Sequence, residues 1–242
     1  MVRSLTGKMA RQTGHHEPDH DLDSWVDKYV MGHGEADGIR SRFSYLPLLT
    51  IRPPNIIGGI NRVIIAEPPG GSGEHVAWSR RALRGQVLLS NEGREEALLL
   101  GADSGDKVLP RYIGTSDTWA TVTPLIFPGS DARARKRSGG RSGSSGWPGG
   151  KFAKAEKLFF KALRHAGYSP DALAELEFHN VSFWPGGEFA LNFQRPDYLK
   201  NGHWSVYHVR LRWKQSIKGP LAIGAGRHCG LGIFAAMSGS GS

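Results

Sequence analysis

The segment Lys218 to Phe234, KGPLAIGAGRHCGLGIF, sets four glycines (Gly224, Gly226, Gly230 and Gly232) between two short apolar runs. Glycine tolerates positive φ and lets other atoms approach its bare backbone, whose N–H groups can then face phosphate oxygens. The flanking runs, Leu221 to Ile223 and Leu231 to Phe234, read as short strands, so the segment predicts a strand–loop–strand corner. It is neither the Walker pattern nor the dinucleotide fingerprint, because no strand–turn–helix context follows it. Arg227 and His228 place a cation and a titratable ring inside the loop.

Charge narrows the class of partner. Thirty-one Lys and Arg against 22 Asp and Glu leave a net charge of +9, an excess that favours a polyanion, most commonly nucleic acid. No apolar run approaches membrane-spanning length, and the opening MVRSLTGKMARQTGHH lacks the apolar core of a signal peptide. The one cysteine, Cys229, rules out an internal disulfide and a cysteine-based zinc site, and fits a reducing cytoplasm.

Taken in order, residues 1–20 read as a flexible polar arm. Its His15, His16, Glu17, Asp19 and His20 could hold a metal, although a solvated arm is the simpler reading. Residues 22–31 have helical spacing, and Gly32-His33-Gly34 ends them. Strands are expected over 43–51, where Pro47 suits an edge, and over 60–66. Residues 74–90 predict a helix with Val76, Leu83 and Val87 inward and Arg80, Arg81 and Arg84 outward; 97–100 predict a further strand. This order is what remains of a βαββαβ unit whose first strand is short or supplied from elsewhere.

The pattern then restarts with a strand at 119–127, a Gly/Ser/Arg-rich loop over 131–150 and the clearest helix, 151–166. That helix has an apolar stripe of Phe152, Ala155, Phe159, Ala162, Leu163 and Ala166. Strands follow at 175–184, 188–194, 204–213 and 220–223. The expected architecture is α+β, with two units in tandem at 21–115 and 116–237; residues 238–242 read as a linker or tag.

Several segments together resemble the CRISPR repeat-processing endoribonucleases of the repeat-associated mysterious protein (RAMP) superfamily. They are Gly32-His33, FSYLPL from Phe43, INRVIIAEP from Ile60, WATVTP from Trp119, the helix at 151–166, HVRL from His208 and the glycine-rich segment. The sequence is similar to the C-terminal, Cas-six-like part of the fused subunit of type I-U (I-G) effector complexes; the Cas-five-like half that precedes it there is not evident here. The resemblance implies two tandem ferredoxin-like (RRM-like) domains with the glycine-rich loop 224–232 near the C-terminus. It implies a metal-independent endoribonuclease, with no cofactor, that cuts CRISPR precursor RNA in the repeat. Such an enzyme leaves 2′,3′-cyclic phosphate and 5′-hydroxyl ends and stays on the 3′ stem-loop of the crRNA. The implied partners are the crRNA and the other Cascade subunits, Cas-five-like, Cas-seven-like and Cas-eight-like. A catalytically inactive, crRNA-binding structural subunit of the same antiviral complex is the alternative, and a basic RNA-binding protein unrelated to CRISPR is a third reading.

Metal-free cleavage needs groups that move protons near neutral pH, for which histidine is suited. His33, at the end of the first predicted helix where related enzymes place their catalytic histidine, is the leading candidate, followed by His208 and His228. Strand alternation sets His208 on one face with Arg210 and Arg212. Arg40 and Arg42 flank His33. Phosphate contacts are expected from Arg133, Arg135, Lys136, Arg137 and Arg141 of the loop, and from Lys151, Lys154, Lys157 and Lys161 of the helix. Arg210, Arg212, Gly224, Gly226, Arg227 and Gly230 complete the candidate RNA-binding set. Trp147, Tyr198, Trp204 and Tyr207 are available to stack on unpaired bases.

Overall fold

Residues 204–218 alternate side chains over fifteen positions and form the longest strand among the described residues, and three other strands pair with it. The computed structural model describes residues 1–33, 42–52, 55–68, 70–90, 92–130, 153–194, 199 and 204–237. They form two units interleaved in sequence, one of 1–46 and 63–106 and the other of 47–62 and 107–242. Helices and strands mix in an α+β arrangement.

In the second unit the strands are β5 (Thr115–Thr121), β6 (Leu125–Ser130), β7 (Leu173–His179), β8 (Trp204–Lys218) and β9 (Phe234–Ala236). At Leu211, β8 pairs with Trp119 of β5 on one edge and Leu176 of β7 on the other, antiparallel in both cases. β6 continues the line of β5, with Leu125 opposite Tyr207, and β9 lies along the free edge of β5, with Ala120 opposite Ala235. The resulting order is β7–β8–β5–β9. A crossover through helix α5 (Ala153–His165) links the β5–β6 line to β7.

The apolar stripe expected of that helix is the one it buries. Ala155, Phe159, Ala162 and Leu163 pack with Trp119, Phe127, Leu176, Val209 and Leu211 in one core. Val209, Leu211 and Trp213, alternate residues of β8, supply the strand side of that core. Lys154, Lys157 and Lys161 point outward from the opposite face of α5. Helix α4 (Leu109–Ile113) precedes β5, and its Tyr112 hydroxyl donates to the Leu49 carbonyl at 2.7 Å.

The first unit is built differently. Helix α1 (Val2–Thr13) occupies most of the segment expected to be a flexible arm. Small residues make this possible: Thr6, Gly7 and Ala10 recur at helical spacing and are buried, a stripe that a scan for large apolar residues passes over. Helix α2 (Leu22–Trp25) is capped by Asp21, whose carboxylate accepts the Ser24 N–H at 2.9 Å, and continues as a π turn over Val26–Val30. Helix α3 (Glu74–Leu83) has the Glu67 carboxylate at its start, accepting the N–H groups of Gly73 and Val76 at 2.8 and 2.7 Å. These helices enclose a core of Ala10, Trp25, Val26, Val30, Phe43, Tyr45 and Trp78.

The strands of the N-terminal half are β1 (Ser44–Arg52), β2 (Asn55–Ala66), β3 (Val87–Leu89) and β4 (Glu95–Leu98). Among the described residues they pair only two by two, β1 with β2 and β3 with β4, where the sequence predicted one βαββαβ sheet. Other segments differ as well. The helix expected over 74–90 stops at Leu83, because Gly85 takes a left-handed turn (φ +78) and Val87–Leu89 is drawn into the pairing with β4. Residues 190–192 form a 3-10 turn in place of a strand, and 220–223 contribute one isolated bridge, Ala222 with Ile233.

Phe159 is fully buried at the centre of the second core. Phe159→Ala should therefore destabilise the protein by ~3–5 kcal/mol in denaturant unfolding. Lys157→Ala, on the outer face of the same helix, should change stability by less than about 0.5 kcal/mol.

Candidate functional site

The glycine-rich segment lies between β8 and β9 and folds down onto the β5–β6 line. The Ala225 N–H donates to the Ile126 carbonyl at 2.8 Å, and the Gly232 N–H to the Pro124 carbonyl at 2.9 Å. The segment also closes on itself, Ile223 N–H to the Gly232 carbonyl and Phe234 N–H to the Leu221 carbonyl, both at 2.9 Å. Gly224 (φ +99) and Gly232 (φ +64) are required by these approaches. A Cβ on Gly224 would stand 2.7 Å from the Ile126 oxygen, and one on Gly232 would collide with the Ile223 oxygen. Of the glycines expected to open the backbone to a ligand, these two serve contact with the protein's own backbone.

Gly226 and Gly230 bound a single 3-10 turn, Arg227–Cys229, and both are left-handed (φ +83 and +93). This turn is the more accessible part of the segment: Arg227, His228 and Cys229 are each half-buried. The Arg227 guanidinium donates to the His165 carbonyl at 3.2 Å, a cation set on the last turn of α5. Arg227 thus joins the turn to the helix that carries Lys154, Lys157 and Lys161.

His208 has a different setting from the open basic face expected of it. It is 0% exposed. Its Nε2 lies 3.0 Å from the Glu188 carbonyl and its Nδ1 3.2 Å from the Thr121 hydroxyl. A carbonyl can only accept, so Nε2 carries the hydrogen and Nδ1 accepts from Thr121, whose oxygen accepts the Val209 N–H at 2.9 Å. Both ring nitrogens are engaged, and burial holds the ring below its ordinary pKa. Such a histidine is a neutral structural brace.

Arg210 and Arg212 share the expected side of β8, but each stands opposite a glutamate of β7 in register, Glu177 and Glu175. Arg210 meets Glu177 at 2.5 Å, and Arg212 pairs with Glu175. The Arg210 guanidinium also lies 5.3 Å from the Phe183 ring centroid. This strand face is therefore largely neutralised. The cross-strand glutamates were visible in the sequence, but their register was not.

In the first unit, His33 is exposed just beyond the π turn, and its backbone N–H donates to the Asp27 carbonyl at 2.8 Å. Gly32 (φ +70) turns the chain there. Arg42, expected to contact RNA, donates to the Gly32 carbonyl at 2.7 Å, and Arg3 to the Met31 carbonyl at 3.1 Å. The two guanidinium groups cap the helix end. Arg40, Arg133, Arg135, Lys136, Arg137, Arg141 and Lys151 lie outside the described residues, as do Trp147 and Tyr198.

One grouping escaped the sequence reading. His15, just after α1, lies 2.9 Å through Nε2 from Nδ1 of His75 on α3, and His75 Nε2 lies 2.7 Å from the Glu17 carboxylate. The only signal was the proximity of His15 and Glu17; His75 comes from sixty residues away. Among the described residues no three His, Cys, Asp or Glu side chains converge as a metal site would require.

Two outcomes follow. Gly232→Ala should lower stability by more than about 2 kcal/mol, since it adds both a left-handed strain and a backbone collision. His208 is held below the 6.5 at which an unfolded histidine titrates. Between the two values the unfolded chain binds more protons, so stability is retained above about pH 6.5 and lost as pH falls through the folded value. Thermal melts from pH 7.5 to 5 should show that loss, and His208→Gln should reduce its slope.

Neither a curated protein nor a solved structure matches the chain. The model of the CRISPR-associated protein, GSU0054 family, matches residues 9–236. That span includes most of both units, the glycine-rich segment and the three histidines expected from the sequence, and the chain belongs to this family of CRISPR-associated proteins.

Proposed function

We propose that this protein is a metal-independent endoribonuclease that cuts CRISPR precursor RNA within the repeat. In this reading it remains on the 3′ stem-loop of the product as a Cas-six-like subunit of a type I effector complex. One observation carries the proposal within a CRISPR-associated family: the order β7–β8–β5–β9, with α5 crossing from β5–β6 to β7 and a glycine-rich connection before β9. That order is the ferredoxin-like one, with the glycine segment standing where its second helix would lie. We assign the ferredoxin-like fold to the second unit.

The reaction uses the RNA's own 2′-hydroxyl. Its oxygen forms a bond to the adjacent phosphorus as the bond to the 5′-oxygen breaks, giving a 2′,3′-cyclic phosphate and a 5′-hydroxyl. The protein must accept the 2′-proton and offset charge on the phosphorane. The outward lysines of α5 and the neighbouring Arg227 turn form a cationic stripe suited to phosphates. The partners in this reading are the crRNA and the Cas-five-like, Cas-seven-like and Cas-eight-like subunits.

A second reading, a crRNA-binding subunit without chemistry, is favoured by the enclosure of His208 between Thr121 and Glu188. One assay separates the two. Repeat RNA incubated with the protein in EDTA should be cut at one site, leaving a cyclic phosphate; retention without cutting would establish the binder. Affinity for the product should fall steeply between 50 and 200 mM salt, by on the order of 10³-fold for about six phosphate contacts. Lys157→Ala and Lys161→Ala should each flatten that slope by about one unit, read by fluorescence anisotropy.

A further inference from the structure

We propose that His15, at the end of a Glu17–His75–His15 relay, is the general base that takes the 2′-proton in this reaction. The assignment rests on the endoribonuclease reading. The relay lies wholly in the first unit. His75 is the second residue of α3 and is buried; Gly14 (φ +66) ends α1 and turns the chain so that the His15 ring stacks on Trp78. Those rings are 4.3 Å apart and 7° from parallel, with Trp25 edge-on to His15 at 5.8 Å. Stack and hydrogen bond together fix the imidazole in place.

The tautomers follow from the acceptor at the end of the chain. The Glu17 carboxylate only accepts, and its contact with His75 holds its pKa below the ordinary value, so it stays ionised. His75 therefore donates from Nε2 at 2.7 Å and accepts at Nδ1. His15 donates to that Nδ1 from its own Nε2 at 2.9 Å, which leaves His15 Nδ1 unprotonated. No described residue bonds to that nitrogen, and the ring is only partly buried. A purely structural histidine has both nitrogens committed, as His208 does. His15 has one committed and one with a lone pair.

In the step proposed, the O2′–H bond breaks and its proton passes to His15 Nδ1, while the O2′–P bond forms. The P–O5′ bond breaks and the leaving oxygen takes a proton from water. The imidazolium so formed is stabilised through His75 by the Glu17 charge. His15 is thus the catalytic residue, and His75 and Glu17 are positioning residues. Burial above all lowers the pKa of His15, the Arg81 guanidinium acts in the same sense and Glu17 opposes them, with His75 and His16 the other titratable groups facing it, and the ring stays neutral and able to accept. From α2 the ring meets the uncharged indole of Trp25. Substrate phosphates have cations within the same unit: Arg80, Arg81 and Arg84 are exposed at the end of α3 and pair with no carboxylate among the described residues. Arg11, by contrast, is tied to Asp23 and Asp27. His33, the leading candidate from the sequence, has a ring that no described residue orients.

Two measurements on the full chain test the assignment. First, ¹⁵N-detected histidine NMR should show one ring hydrogen-bonded at Nε2 and bare at Nδ1 at pH 7, a signal lost in His15→Ala. Glu17→Gln should lower the titration midpoint of that ring. A ring protonated at Nδ1, or a midpoint unmoved by Glu17→Gln, overturns the relay whatever the RNA assays show. Second, single-turnover cleavage of repeat RNA in EDTA should slow by at least about 100-fold in His15→Ala and change less than about threefold in His33→Ala. Glu17→Gln should slow cleavage and move the acid limb of its pH profile to lower pH, while binding of a 2′-deoxy repeat stays unchanged in all three variants. Cleavage by His15→Ala at the parental rate, or loss confined to His33→Ala, overturns the assignment. A parental protein that binds without cutting, with the NMR relay intact, instead overturns the endoribonuclease reading.

Discussion

β8 is hydrogen-bonded along both edges, and the rest of the second unit follows from that constraint. A strand with neighbours on both sides has no unsatisfied backbone to give to a ligand. Its side chains must serve the core on one face and whatever covers the other. Val209, Leu211 and Trp213 meet α5, and the intervening positions become a brace at His208 and ion pairs at Arg210 and Arg212. The accessible side chains of this part of the unit are thereby those of the outer face of α5 and, in part, of the glycine-rich turn.

The same logic explains the glycines. A connection of fifteen residues between β8 and β9, without an α-helix, can stay close to the sheet only if its backbone touches the β5–β6 line directly. Ala225 to Ile126 and Gly232 to Pro124 are those contacts, and side chains at Gly224 and Gly232 would prevent them. What remains outward is the Arg227–Cys229 turn, tied through Arg227 to the end of α5. The phosphate-binding surface proposed for this unit is accordingly a composite of helix and turn, with the bare loop backbone given the smaller part.

Much of this was legible in the sequence, and the gaps have physical causes. The stripe of α5 is made of large residues at helical spacing, and the helix lies where the stripe does. The stripe of α1 is Thr6, Gly7 and Ala10, whose burial depends on close helix packing rather than on hydrophobicity, so it reads as polar. Alternation alone put His208 on a face with two arginines. It could not reveal that Thr121 and the Glu188 carbonyl close over the ring, nor that Glu175 and Glu177 fall in register with the arginines, because pairing between distant strands is not written in either strand. The Glu17–His75–His15 chain was hidden for the same reason: its members are joined by the folding of α3 against the end of α1.

In the proposed reading, stem phosphates are bound by α5 and the Arg227–Cys229 turn, and His15 takes the 2′-proton. Photo-crosslinking of a repeat RNA bearing 4-thiouridine in its stem-loop, followed by peptide mass spectrometry, tests this most directly. Stem nucleotides should crosslink to peptides spanning 154–164 and 227–229, and nucleotides beside the cleavage site to a peptide containing His15. Stem crosslinks confined to the β1–β2 ribbon, or scissile-site crosslinks that avoid His15, would contradict it.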